Sequence, residues 1–452
     1  MRKRTHLTGR CATAVACILA MASAAAGQAR RLTLQEAVEL AKRQNHSLKA
    51  AAYAVAAEQQ KKRIAASDYY PVLSNETNVL HVTDLQRVEV PAGAFGTIPN
   101  GPLIPASTVY LTQGTETLET SGTMIAQPLT QLIKIHAANR AAVAEVKSVQ
   151  ASLADQTNTV VYRVHELYYR ILTAHLQKTA AELQIEAGRE NLGESVEQVK
   201  KGSALEVTRL EGESSLLEAR QTLLNTNMQL SDLTTQLNDL LGLPLGTDLD
   251  LDSNVDVEFV LPPREQAVEE AMKGNPEIAE SVALVNKAKA ALSAARAEYI
   301  PDLSAFARHS YQNGLPLFDR NFGTIGFRLT YDIFDGGKRE ARIRERRNEI
   351  ARAEEMLKHA QEEVEVRVTM VYNRLEVTRS MIEVSREYLK TRQESARLAE
   401  DQYKQGTVLA SQMDLARAQA KKAEASLLDA SLAYQLAHDD LVRVLGSPLV
   451  DH

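Results

Sequence analysis

The sequence predicts a mainly α protein with a β part. Long antiparallel coiled-coil helices fall in two tandem structural repeats, and each repeat is interrupted by a β-hairpin. Three observations predict this. Proline and glycine are missing from very long stretches, the chain resembles itself at a nearly fixed offset, and two short regions alternate apolar and polar residues while the rest keeps a seven-residue period.

Composition sets the outer bounds. The 452 residues are 44% hydrophobic and 24% charged, with a net charge of -6 and a mean hydropathy of -0.26. A polytopic helical membrane protein would be more apolar. A nucleic-acid binder would concentrate positive charge, and here acids are interleaved with the bases, as in Arg339 to Glu355.

Residues 1–29 have the form of an export signal. Arg2, Lys3 and Arg4 precede an apolar run from Cys11 to Met21, and the small residues Ala22 to Gly27 follow. That run is too short to span a bilayer as a helix. Cleavage is expected after Ala26 or Ala29. Cys11 and Cys17 both lie in this segment, so the exported part would have no disulfide, no Cys-ligated metal and no thiol nucleophile. Cys17 sits within the apolar run and not after it, which argues against lipidation. The segment holds four Lys/Arg and no Asp/Glu, which leaves 48 against 58 and a net charge of -10.

The remainder divides into a first repeat at 30–247, a linker at 248–261 and a second repeat at 262–452. At an offset of 230, Ala37-Val38-Glu39 meets Ala267-Val268-Glu269, Asn45 meets Asn275, Tyr69 meets Tyr299 and Pro71 meets Pro301. Further on the offset is 204, where Tyr168 meets Tyr372, Gly202 meets Gly406 and Pro244 meets Pro448. The first repeat is therefore longer by about 26 residues, near 81–118.

Pro71 and Pro301 each end a helical pattern. The strands expected after them lie at about 72–90 and 107–127, and at about 302–312 and 322–334. Alternation is clearest where Ile325, Phe327, Leu329, Tyr331 and Ile333 interleave with Gly326, Arg328, Thr330 and Asp332. The first pair is joined by a loop rich in proline and glycine, from Pro91 to Pro105. Five of the seven Phe fall in 302–334, and Tyr69, Tyr70, Tyr299, Tyr311 and Tyr331 flank or occupy the same elements. Aromatics at strand ends suit membrane interfaces.

The helices follow. No proline occurs between Pro128 and Pro244, and neither proline nor glycine occurs from Lys338 to Gln405. Val146, Leu153, Val160 and Leu167 recur every seven residues, with Val164 and Ile171 as a companion row. Leu216, Leu223, Leu230 and Leu237 repeat the spacing. Such a repeat specifies a left-handed coiled-coil seam. A helix of about 65–70 residues would run roughly 100 Å.

With these segments in order, the chain resembles the TolC-like outer membrane efflux family. The segments that carry the resemblance are "LTLQEAVELAKRQN" at 32–45, "YYPVLS" at 69–74, "YIPDLS" at 299–304, "YDIFDGGK" at 331–338 and "LVRVLGSPL" at 441–449. The resemblance implies a homotrimer with a twelve-stranded barrel in outer-membrane lipid and a helical tunnel in the periplasm. A periplasmic adaptor and an inner-membrane transporter of the RND or ABC type would complete the path, for efflux or type I secretion. Pro71 and Pro301 would be helix-to-strand joints, and Gly336 and Gly337 the strand-to-helix joint that Gln131-Leu132-Ile133 replaces in the first repeat. Gly202 and Gly406 would be adaptor-facing turns at the helix tips. Asp414 and Asp401 would be the acids nearest a pore constriction.

Catalytic chemistry finds no support. Gly-x-Ser-x-Gly and His-Glu-x-x-His are both missing, and Gly336-Gly337-Lys338 lacks the rest of a phosphate loop. His165 and His175 are ten apart on one helix, which is not a metal-pair spacing, and read as surface or seam residues. No catalytic, cofactor-binding or metal residue is expected, and no nucleic-acid partner. The competing interpretation is a non-conducting periplasmic or secreted coiled-coil scaffold, which would need no amphipathic hairpins at matched places.

Overall fold

The computed structural model describes residues 30–112, 114–252, 259–315 and 319–447. The expected signal at 1–29, part of the linker and Pro448 lie outside the described residues. Two compact units share the chain. One comprises the described residues up to Val55, 149–280 and 357 onward, and the other comprises 56–148 and 281–356.

The elements run β1 (Arg30–Leu32), α1 (Leu34–Gln44), α2 (His46–Ser67), β2 (Val72–His81), β3 (Arg87–Val90), β4 (Val109–Thr112), β5 (Thr117–Pro128), α3 (Leu132–Lys200) and α4 (Glu206–Leu241). After β6 (Leu249–Leu251) come α5 (Arg264–Gly274), α6 (Pro276–Ala297), β7 (Asp302–Asn313), β8 (Asn321–Thr330), α7 (Lys338–Lys404) and α8 (Ala410–Leu445). Helix lengths match in pairs: 11 residues for α1 and α5, 22 for α2 and α6, 69 and 67 for α3 and α7, and 36 for α4 and α8.

Among the described residues, two large apolar clusters and a smaller one around Ile185, Leu216 and Ala219 fill the first unit. One large cluster gathers Ala37, Ala41, Val160, Val164, Leu167, Ile171, Leu237 and Leu241. The other large cluster gathers Ala267, Ala271, Val364, Val368, Val371, Leu375, Leu441 and Leu445. Position for position, these are the same places in the two repeats. Each buried Val, Leu or Ile contributes about 1.5–3 kcal/mol. The alanines let the short helices α1 and α5 lie close to the long ones.

Local chemistry sets the helix ends. Thr33 caps α1 in a reciprocal box: its Oγ1 accepts from Glu36 N at 3.2 Å, and Glu36 Oε2 accepts from Thr33 N at 3.0 Å. Asn45 ends α1 and starts α2. Its Oδ1 accepts from Ser47 N at 2.9 Å, and its Nδ2 donates to Leu240 O at 3.1 Å. Asn275 does the same, with Oδ1 accepting from Glu277 N at 2.9 Å and Nδ2 donating to Val444 O at 2.8 Å. One amide thus caps one helix and ties down the end of another.

The expected linker is partly structured. Leu249–Leu251 pairs in parallel with Arg30–Leu32, and Tyr168 Oη donates to Leu32 O at 3.0 Å and Asp252 O at 2.9 Å, closing that join. The linker reading missed it because three-residue strands leave no periodic signal.

The second unit holds a four-stranded antiparallel sheet in the order β2-β5-β7-β8. Two expected strands are corrected here. The region 72–90 divides into β2 and β3, and 107–127 divides into β4 and β5. β3 and β4 form their own two-stranded sheet, because the ladder is interrupted after Val82 N donates to Glu116 O at 2.7 Å. The strand expected at 322–334 ends at Thr330. Tyr331 and Ile333 continue the alternation of residue types but belong to the joint with α7.

Candidate functional site

Three features of this fold can carry a function: the sheet, its joints to the helices, and the turns between long helices.

The register sorts the sheet into two faces. Leu73 pairs with Ile125, Ile125 with Ala307, and Ala307 with Ile325, so one row crosses all four strands on one face. Ala305–Phe327 and Leu303–Leu329 extend that face. Ile325, Phe327 and Leu329 are 87%, 74% and 66% exposed, so an apolar surface is uncovered along β8, while Asn75, Thr77, Ser121 and Thr123 make the β2–β5 part of the same face polar. Both outer strands, β2 and β8, have ten residues and a free edge. Exposed edges of this length are normally covered or paired.

The joints are built residue by residue. Pro71 stands just before β2 and Pro301 just before β7, where a missing N–H costs least. Thr130 crosses between the hairpins. Its Oγ1 donates to Pro301 O at 2.6 Å and accepts from Leu303 N at 2.8 Å. In the other strand-to-helix joint, Gly336 and Gly337 have φ of +68° and +84°. Asp335 accepts from Gly337 N and Arg339 N, each at 3.1 Å, and so caps α7. The first repeat manages without glycine, which answers the sequence difference at Gln131-Leu132-Ile133. The Arg339 guanidinium lies over Tyr331 and Tyr299, at 4.8 and 5.6 Å from the ring centroids. Tyr299 Oη donates to Glu340 at 2.6 Å. A belt of tyrosine and paired charge therefore borders the sheet.

The turns between long helices are copies of each other. Gly202 and Gly406 have φ of +69° and +71°. Ser203 and Thr407 follow, and their hydroxyls donate to Gln198 O at 3.0 Å and Gln402 O at 2.9 Å. Leu205 and Leu409 then occupy the N-cap positions of α4 and α8, with no side-chain cap. Polar residues normally stand there. Leu205 is 76% exposed. Glu194, from α3, reaches the start of α8 instead: it accepts from Ser411 N at 3.1 Å and from the Ser411 hydroxyl. Sequence reasoning missed this contact, whose partners are 217 residues apart.

Asp401 and Asp414 lie on either side of Gly406, and each has an arginine on its own helix. Arg397 reaches Asp401 at 2.8 Å, and Arg417 reaches Asp414 at 3.7 Å. Glu400 stands between Lys404 at 3.1 Å and Arg417 at 3.3 Å, and hydrogen bonds from these cations hold its carboxyl below the usual range.

Of the two places expected for His165, surface or helix seam, the structure shows the second. It is buried, and its Nδ1 stands 2.7 Å from Asp439 Oδ2, which also accepts from Tyr169 Oη at 3.4 Å. The partner is 274 residues away, so no local pattern could announce it. Among the described residues, no group of three or more His, Cys, Asp or Glu is placed to hold a metal ion, and no helix is long and apolar enough to cross a membrane.

The profile of the family described as "Outer membrane efflux protein" matches residues 267–447. That match makes the second repeat similar to the family. The fold is that of TolC-like outer membrane channels over nearly the whole length. The Campylobacter jejuni CmeC outer membrane channel aligns with a TM-score of 0.75 and 15% identity, over 91% of this chain and 85% of that one. The Vibrio cholerae outer membrane protein VceC aligns at 0.70 and 14%, over 92% and 96%. The Neisseria gonorrhoeae MtrE outer membrane channel, in its open state, aligns at 0.67 and 16%, over 92% and 89%. No curated protein sequence matches this chain. The family is an outer-membrane one, and the chain takes its place in the outer membrane with it.

Proposed function

We propose that three copies assemble into one channel-tunnel, the passive exit duct of a tripartite efflux pump or type I secretion system. The observation that carries this reading is the sheet: four strands, two free ten-residue edges and an apolar surface uncovered along β8. In lipid every backbone N–H and C=O needs a partner, so a sheet survives there only when closed. Four strands cannot enclose a transport path, whereas three copies supply twelve. A non-conducting scaffold has no use for such a sheet.

The helices support the same assembly. Leu210, Leu217 and Leu224 on α4, and Met370, Val377 and Val384 on α7, are exposed at seven-residue spacing. Such stripes fit further helices, and neighbouring copies would supply them. In this reading residues 1–29 are a removed signal, and 30–247 and 262–452 are the two repeats. The turns at Gly202 and Gly406 face a periplasmic adaptor, with Leu205 and Leu409 as apolar contacts. An inner-membrane transporter, RND or ABC, supplies the energy. Any constriction at Asp401 and Asp414 is formed by Asp–Arg pairs and not by bare acids.

The test is the mass and shape of the protein extracted from outer membranes in mild detergent. The expected result is a trimer with a long stalk in negative-stain images. A soluble monomer or dimer that needs no detergent would overturn the proposal.

A further inference from the structure

The closed barrel proposed above would have an inner face, and the register says which residues line it. The face opposite Ile325 and Phe327 carries Arg308, Arg328 and Glu76, all three within strands, whereas the in-strand charge on the Ile325 face is Glu119, near the hairpin end of β5. An arginine turned to lipid costs about 2–4 kcal/mol at the bilayer midplane. The apolar face therefore meets lipid, and these three charges line the lumen.

Both arginines have seats prepared on the sheet. Arg308 lies across Gly122, where an added Cβ would fall 2.6 Å from a guanidinium nitrogen, so a larger residue there would displace the guanidinium. Arg328 lies over the Phe306 ring, with Cζ 5.6 Å from the centroid, and Phe306 itself faces Gly326. Among the described residues neither guanidinium has an ion-pair partner. Asp302, at the joint end of the same face, is already neutralised by Lys134 at 2.6 Å. Each copy thus presents two arginines and one acid, Glu76, which pairs with Gly122 beside the Arg308 guanidinium, so the face keeps an excess of positive charge. Four residues of β7 separate Ser304, the partner of Arg328, from Arg308, so the two levels are roughly 13 Å apart along the strand.

We infer that the barrel lumen favours anionic solutes, with Arg308 and Arg328 as the residues that set this preference. Rings of arginine in a confined pore raise the local concentration of anions and repel cations. The inference rests on the channel reading. It concerns the barrel segment, so it does not require the helix tips to be open.

The experiment places one reporter in the full chain, Thr324→Cys, which pairs directly with Arg308. Detergent-purified trimer is labelled with an anionic methanethiosulfonate bearing a sulfonate and with a cationic one bearing a trimethylammonium group. The expected result is labelling about threefold or more faster with the anion. Arg308→Gln with Arg328→Gln should bring the ratio to one or below, while the double lysine variant keeps it. A trimer whose ratio is at or below one, or does not respond to the glutamine pair, would overturn the inference. A chain that is monomeric in detergent, with equal labelling by both reagents, would overturn the channel reading instead.

Discussion

At the scale of single residues, the positions that matter most join distant parts of the chain. Burial raises the Asp439 carboxyl, but the His165 hydrogen bond and the nearby His438 outweigh it and hold it below the usual range. A depressed carboxylate stabilises the fold above its unfolded value of about 4, and that contribution is lost as pH falls through the folded value. His165→Asn should therefore cost about 3 kcal/mol near neutrality, measured by thermal unfolding in detergent. Its penalty should shrink as the pH approaches 3. Replacing both partners, His165→Phe with Asp439→Leu, should recover much of the loss. Glycines give a second test. Gly406 and Gly446 have nearly the same φ, +71° and +74°. Around Gly406 there is open space, but a Cβ on Gly446 would fall 2.1 Å from Gly274 O. Gly406→Ala should cost about 1–2 kcal/mol of backbone strain. Gly446→Ala should cost more, about 2–4 kcal/mol, because the α5 end must also move. Comparative melting of the two variants checks this.

At the scale of elements, the strands and the helix turns make separate predictions. The facing of β8 predicts that Phe327→Arg lowers the amount of assembled protein in membranes, at a cost of about 2–4 kcal/mol. Thr324→Arg, one face over, should assemble normally. Equal losses from both would contradict the assignment of faces. The turns predict a different phenotype. Leu205→Asp with Leu409→Asp should leave the trimer intact, because each leucine caps its helix without a side-chain bond. The same pair should abolish efflux in cells by weakening adaptor contact. Efflux at the unaltered level, with the trimer intact, would remove the two leucines from the adaptor interface.

At the scale of the whole molecule, the division between what was legible and what was not has a physical cause. Helix and strand are local. A run without proline, free of glycine up to Gly188 in α3 and throughout α7, together with a seven-residue apolar period states a long helix directly, so α3 and α7 could be placed from residue types alone. Pro71, Pro301, Gly202 and Gly406 mark ends because their backbone limits act on the chain itself. The tandem offsets are legible for a similar reason: the two cores bury corresponding residues, such as Val164 and Val368, under the same packing constraint. Strand ends were less legible. Tyr331 and Ile333 carry the alternating pattern past Thr330, but only hydrogen-bond partners decide where a ladder stops. Tertiary structure alone decided the contacts across sequence distance: Asp439 against His165, Glu194 on the first turn of α8, Thr130 bridging the hairpins, and Arg308 seated over Gly122. Each depends on two segments arriving at one place, and neither segment carries a local mark of the other. The sequence by itself determined the kinds of element and their order. The tertiary structure decided which charges are paired, which are buried, and which remain free on a face of the sheet, because those properties belong to pairs of residues in space.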